Sequence, residues 1–375
     1  MALTFAVEPV VHREAVETLW RRLEAEADGH FFTSWTWIGA WLRHVERPVY
    51  LLRAEEAGEP VALGLFCVHR QVRWKVLPVT TLQLAATGDD AFDLITVEYN
   101  DLLVRADGAE AIRAAVWRWL GGRDRFADVV FDEIHLPGVT AATGRAAATA
   151  SGLAGRVYAR KPLALVDLQA VRACGRPWPE MLGSNTRYQL RRALRLYGER
   201  GEPLLEAAAD VPTALEWLEQ AGELHQRRWT AKGRSGAFAS PFFVAFAREL
   251  VRLGVPEGTV EMLRIRAGSH VIGYLQNFVY RGHAFYYFGG FAYEEDPRIK
   301  PGLVAHHLAV LRYLERGCQI YDFGAGAFRY KYQLGQPGPD IETWILRRPR
   351  VALELEDLAR RLRARWRARR QRAEG

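Results

Sequence analysis

The stretch 260–335 constrains this 375-residue chain more than any other part of it. Val260-Glu261-Met262-Leu263-Arg264-Ile265 and the run from Val271 to Tyr280 are rich in β-branched and aromatic residues, and Ala267-Gly268-Ser269-His270 between them carries turn chemistry, which predicts a hairpin. A second turn at Arg281-Gly282 leads to His283-Ala284-Phe285-Tyr286-Tyr287-Phe288 and then Gly289-Gly290, whose missing side chains allow a backbone to splay or a ligand to come close. Apolar residues at helical spacing follow from Leu303 to the stop at Gly317, with Pro301 in the first turn. Free N–H groups at that start, flanked by Arg298 and Lys300, suit a phosphate or pyrophosphate. Cys318 to Phe323 predicts a short strand running into Gly324-Ala325-Gly326, and the whole order suits a nucleotide-bearing cofactor.

The order of strand, strand, Pro-Gly-Leu helix and Tyr321-Asp322-Phe323-Gly324-Ala325-Gly326-Ala327-Phe328-Arg329-Tyr330-Lys331 resembles the GNAT-superfamily acyltransferases of the CelD/BcsL (BioF2-like) type, tandem GNAT proteins related to the Fem-type aminoacyl transferases. The resemblance continues upstream in Leu224-His225-Gln226-Arg227-Arg228-Trp229 and in Asn185-Thr186-Arg187, with fainter echoes at Phe32 to Trp37 and Asn100 to Val104. It implies an α/β, tandem GNAT-like fold of two mixed sheets flanked by helices. It also implies transfer of an acyl group from acyl-CoA to an amine or hydroxyl of a sugar-like, lipid-linked or small-molecule acceptor, in the setting of cell-envelope or polysaccharide biosynthesis. The helix start departs from the GNAT pattern by keeping one glycine, Gly302, where two or more are usual. A Fem-type donor, aminoacyl-tRNA, is therefore an alternative, and a non-catalytic RNA-binding or envelope-assembly module is a third reading.

Length favours two domains, read here as 1–170 and 171–348, the first built of helices at 12–27, 33–45, 109–120 and 140–150 and strands at 49–53, 61–68, 81–85, 102–104, 129–134 and 163–168. Residues 349–375 read as a basic amphipathic helix, with Val351, Leu355, Leu358, Leu362 and Trp366 on one face. Eleven arginines from Arg347 onward stand against four acids, an excess equal to the net charge of +7 of the whole chain. The body is thus neutral overall, and a nucleic-acid partner is not expected unless tRNA is the donor. The tail either docks as a terminal helix or lies on an anionic membrane surface. Cys67, Cys174 and Cys318 lack disulfide or metal spacing, and neither a leader nor a transmembrane run is visible, so the chain is expected in the cytoplasm, free or at the inner face of the membrane, with no metal.

His225 lies on the apolar face of a helix and is either a core histidine or the base that deprotonates the acceptor. Asp322, at a strand end before glycines, is either a base or a turn residue bonding the backbone of Gly324. Tyr287 is a core residue or a general acid. Arg298, Lys300, Gly302 and Leu303 would hold the donor's pyrophosphate; Arg187, Arg191, Arg228, Trp229 and Lys331 would grip the acceptor or its phosphates, although arginine helices are also ordinary solvated faces.

Overall fold

The computed structural model describes residues 3–356; most of the expected tail helix lies outside them, and of it only 351–356 are seen, as helix. Two mixed sheets dominate. The first orders its strands Leu3–Pro9, Val49–Glu56, Glu59–Arg73, Leu77–Leu84, Glu133–Thr140, Ile341–Arg347 and Ala154–Lys161, with Leu103–Val104 paired to Glu59–Arg73. The second orders Pro203–Ala207, Val260–Ala267, His270–Tyr280, His283–Phe291, Ile320–Ala325, Leu163–Asp167 and Gln336–Pro337. This is the expected fold class.

The chain exchanges strands between the sheets. Leu163–Asp167, expected to complete the first unit, pairs antiparallel with Ile320–Ala325 in the second, with Val166 opposite Tyr321. In return Ile341–Arg347 fills the gap between Glu133–Thr140 and Ala154–Lys161 in the first sheet. Inserting these strands leaves each sheet incomplete without the other's sequence.

Burial binds the units further. One core is confined to the first sheet around Phe66, Trp117 and Leu136, another to the second around Leu263, Tyr313 and Tyr321, and a third draws on both. In the shared core Phe31 stacks on Phe278 at 4.0 Å and Trp37 meets Phe246 edge-on at 4.9 Å; each such pair contributes about 0.5–1.5 kcal/mol beyond its buried area. Phe31 opens a short 3₁₀ turn that hands over to helix Trp35–His44, whose N-cap Ser34 accepts from the Trp37 N–H. Helix Val211–Thr230 begins at Asp210, which accepts from the Thr213 N–H at 2.8 Å, and it packs on strand His283–Phe291. That packing explains Gly290: a Cβ there would lie 2.2 Å from the Ala221 carbonyl oxygen. At Gly290 it is a helix backbone that comes close.

Candidate active site

Strands His283–Phe291 and Ile320–Ala325 run parallel and pair at three positions only, ending with Phe285 opposite Asp322. Beyond that point Tyr286 to Phe291 has no strand partner on this edge, while the other strand turns away through Gly324 at φ 70°. The two strands therefore part, as expected for a site that takes an extended ligand between them. At the far end of the opened edge stands the start of helix Pro301–Glu315: its N-cap Lys300 makes no side-chain cap, Pro301 occupies the first turn, and a Cβ on Gly302 would sit 3.6 Å from the Phe291 ring. Lys300, Gly302 and Leu303 are thus placed together at a helix N-terminus beside the opening. Arg298 is engaged elsewhere, its guanidinium holding Asp296 at 2.7–3.0 Å.

Asp322 closes the near end. Its side chain is 0% exposed. One oxygen accepts from the Gly324 N–H at 2.7 Å, and the other accepts from the Tyr99 hydroxyl at 2.5 Å and faces His283 Nε2 at 3.1 Å. The other His283 nitrogen meets His30 Nε2 at 3.1 Å. Burial, and then the neighbouring His283, hold His30 well below its ordinary pKa, so this ring is neutral at physiological pH. The turn reading of Asp322 is observed in its bond to the Gly324 N–H, and the residue also links the two halves of the chain, because Tyr99 and, through His283, His30 come from the first. Tyr99 sits at φ 51°, a conformation that a bulky residue holds only under strain.

Next to it, both oxygens of Glu98 accept from the Ala325 N–H at 2.9 and 3.0 Å. Burial raises the Glu98 pKa, the Asp322 charge raises it further, and the Ala325 N–H and Lys331 oppose both. Lys331 is buried, at 4% exposure, and donates to the Gly324 and Ala325 carbonyls at 2.9 and 2.8 Å. Burial lowers its pKa against the pull of Glu98 and Asp322. Expected to grip a phosphate, it instead clamps the turn that ends the splayed strand. A cavity of about 140 Å³ opens beside this cluster, lined by Glu98, Lys161, Asp93, Glu342, Thr343 and Ala325.

A second cluster lies along helix Val211–Thr230. The His225 ring sits 5.4 Å from Phe238, 5.7 Å from Trp229 and 6.2 Å from Phe288, a residue of the opened strand. Its Nδ1 is buried and has no hydrogen-bond partner among the described residues. Burial pushes its pKa down to about 4, which leaves a neutral imidazole. Arg228 lies 4.3 Å over the Tyr293 ring.

The remaining candidates are scattered. The Tyr287 hydroxyl donates to the Ile95 carbonyl, a link between the sheets that occupies its proton. Arg187 donates to the Glu180 carbonyl at 3.0 Å, and Arg191 is exposed on the same helix. His306 and His307 are both buried, the first at 2.9 Å from the Tyr321 hydroxyl and the second stacked on Trp178. Sequence reasoning missed Glu98, Tyr99, His30 and His283. His283 was placed only as the start of a strand, and the other traces were the faint motifs that start at Phe32 and at Asn100; the Asn100 side chain donates to the Leu84 and Pro137 carbonyls at 2.9 Å beside Glu98-Tyr99.

Residues 184–332 match the family model of the acetyltransferase (GNAT) domain. No curated protein matches the chain. Among solved structures it is similar to FemX, at 10% identity and TM-score 0.59, covering 93% of this chain and 98% of that one. It is also similar to L-PGS from Bacillus licheniformis, at 11% identity and TM-score 0.54, covering 93% and 96%. A third is the C-terminal (DUF2156) domain of a lysylphosphatidylglycerol synthetase from Agrobacterium fabrum, at 14% identity and TM-score 0.52, covering 92% and 94%. At these identities the likeness is one of fold. Residues 184–332 are thus a GNAT acetyltransferase domain set in a doubled mixed-sheet fold, and the chain that carries it is an acyltransferase.

Proposed function

We propose that the chain transfers an acyl group from an acyl-CoA thioester directly to an amine or hydroxyl of a small, sugar-like or lipid-linked acceptor. The observation that carries this reading is the unpartnered edge Tyr286 to Phe291, which runs from the Asp322 cluster to the open helix start at Lys300. The donor's pyrophosphate would rest at the helix start, on the backbone N–H groups of Lys300 and Gly302, its pantetheine along the strand edge, and its thioester near Ala325. The acceptor would enter through the cavity beside Glu98. Its nucleophile attacks the thioester carbonyl carbon, the C–S bond breaks, the CoA thiolate leaves, and the acceptor's proton passes to a base.

Glu98 is the better base. It lines the cavity, and burial moves its pKa up toward working pH, where a general base is most effective. Asp322 has both oxygens committed to Gly324, Tyr99 and His283 and acts as a positioning residue. His225, beside Phe288, is the second candidate. A thermal-shift titration with CoA, acetyl-CoA and a long-chain acyl-CoA tests the donor: a ligand at 100 times its dissociation constant adds about 2.7 kcal/mol of stability. No shift with any thioester would overturn the reading.

The second reading, a Fem-type transferase using aminoacyl-tRNA, draws support from the FemX-like fold, the single glycine at the helix start and the pairing of Arg298 with Asp296. It predicts tRNA binding that weakens steeply with salt, because many phosphates would be contacted. The lysylphosphatidylglycerol synthetase among the similar structures supports a lipid-linked acceptor under either reading.

A further inference from the structure

The cavity beside Glu98 carries four charged side chains, Asp93, Glu98, Lys161 and Glu342. Two of them are already satisfied within the protein. Glu342 accepts from Arg160 Nε at 2.7 Å and from Trp344 Nε1 at 2.6 Å. Asp93 accepts from the Thr87 N–H and hydroxyl at 2.8 and 2.9 Å and from the Gly88 N–H at 2.7 Å. That leaves Glu98, whose carboxylate is poised to take a proton, and Lys161, whose ammonium has no hydrogen bond or ion pair among the described residues.

The sheet puts that ammonium on the cavity side. Lys161 pairs with Ile341 and Ala159 with Thr343, and all four line the cavity, whereas the intervening Arg160 turns to Glu342. Burial and the Asp322 charge raise the Glu98 pKa, and Lys161 is among the charges that lower it, so the ammonium lies within electrostatic reach of the carboxylate. The wall that carries Glu98 is fixed in place. Thr96 holds a strained φ of 50°, and a Cβ on Gly138 would sit 2.0 Å from the Val97 carbonyl oxygen.

Charge then restricts what enters. A purely cationic amine is repelled by the exposed Lys161, and a pure anion is repelled by Glu98 and Asp93. A molecule that bears both charges is attracted at both ends. The cavity, about 140 Å³, takes a head of benzene size, so the two groups stand only a few bonds apart.

We infer that the acceptor is a small amine that also carries a carboxylate or phosphate, with the amine facing Glu98 and the anion facing Lys161. The inference rests on the reading of this cavity as the acceptor's. The ammonium gives one proton to Glu98, its nitrogen bonds to the thioester carbonyl carbon, the C–S bond breaks, and the nitrogen's second proton leaves with the CoA thiolate as the thiol. Lys161 takes no part in that step and is a binding residue.

The test is calorimetric titration of the full chain, at low ionic strength, with β-alanine, O-phosphoethanolamine and ethanolamine, the last of which lacks the anion. At least one of the first two should bind about fivefold more tightly than ethanolamine, the margin that one exposed lysine supplies. The tighter of them identifies the anion. Lys161→Met should erase the margin and Lys161→Arg should keep it; the position lies on an exposed edge strand, and an unchanged melting temperature checks the fold. If Lys161→Met does not fold, Lys161→Gln carries the same expectation. Ethanolamine binding as tightly as both anionic amines would overturn the inference. So would no binding of any of the three, or a margin that survives in the folded Lys161→Met. Failure of the acyl-CoA reading shows separately: no thiol release from any thioester, with the Lys161-dependent margin intact, removes the donor and leaves the acceptor's chemistry standing.

Discussion

The Asp322 cluster and the His225 pocket both put proton-handling groups beside the opened strand, but they differ in what their polar atoms already do. In the first, nearly every atom is spoken for: Asp322 by Gly324, Tyr99 and His283, and Lys331 by two carbonyls. In the second, an imidazole stands among Trp229, Phe238 and Phe288 with one nitrogen unpartnered. Charge density alone would favour the first as the reactive site. Availability gives a finer answer: Glu98 faces a cavity and has its basicity raised by burial, whereas Asp93 on the same cavity wall, also raised by burial, is committed to Thr87 and the Gly88 N–H.

Glu98→Gln should have the largest effect. The amide still accepts from the Ala325 N–H, so stability should hold, but it takes no proton, and turnover should fall by about 10²–10⁴-fold. Thiol release from whichever acyl-CoA stabilises the protein measures this. In the parent, turnover should rise as pH rises through the raised Glu98 pKa, and the variant should lose that limb. A full-rate Glu98→Gln with an impaired His225→Phe would reverse the assignment of the two regions.

Asp322→Ala comes next, and its effect should fall on stability. Removing a buried carboxylate strands the Gly324 N–H and the Tyr99 hydroxyl and uncouples the two sheets, at a cost of about 3–5 kcal/mol in urea unfolding. A loss below about 1 kcal/mol would show that the network does not hold the interface.

How much of this was legible beforehand differs between fold and site. Most elements follow from local chemistry: the hairpin 260–280, the Pro301 helix start and the helix expected at 33–45, found at Trp35–His44, stand where apolar period and turn residues put them. Strand Ala154–Lys161 was invisible because it is an edge strand exposed on both faces and lacks an alternating apolar pattern. The exchange of Leu163–Asp167 and Ile341–Arg347 between sheets was illegible for another reason, since pairing between distant strands leaves no mark on either. The site shares that difficulty: Asp322 was readable from its strand end and glycines, whereas Tyr99, 223 positions away, carries no local sign of pairing with it. Gly289-Gly290 was read for its missing side chains, and at Gly290 the space serves helix packing. Gly290→Ala should therefore cost about 1–3 kcal/mol of stability by overpacking against Ala221, measured by thermal unfolding. A variant as stable as the parent would return the pair to the ligand.

The smallest effect is expected at His225, and it isolates the pocket's own property. Its folded pKa, about 4, lies below the unfolded value near 6.5. As pH falls through that window the unfolded chain takes up a proton that the folded chain refuses, so this residue removes stability on acidification and none at neutral pH. His225→Phe keeps the aromatic contacts and has nothing to protonate. Its stability should match the parent at pH 7 and exceed it near pH 4.5 by on the order of 1 kcal/mol, with turnover changed by less than about threefold. Parallel stability curves for the two proteins would mean that the ring is solvated or paired in solution; a pocket that lets water reach Nδ1 also admits an acceptor, and the base would then have to be sought there rather than at Glu98.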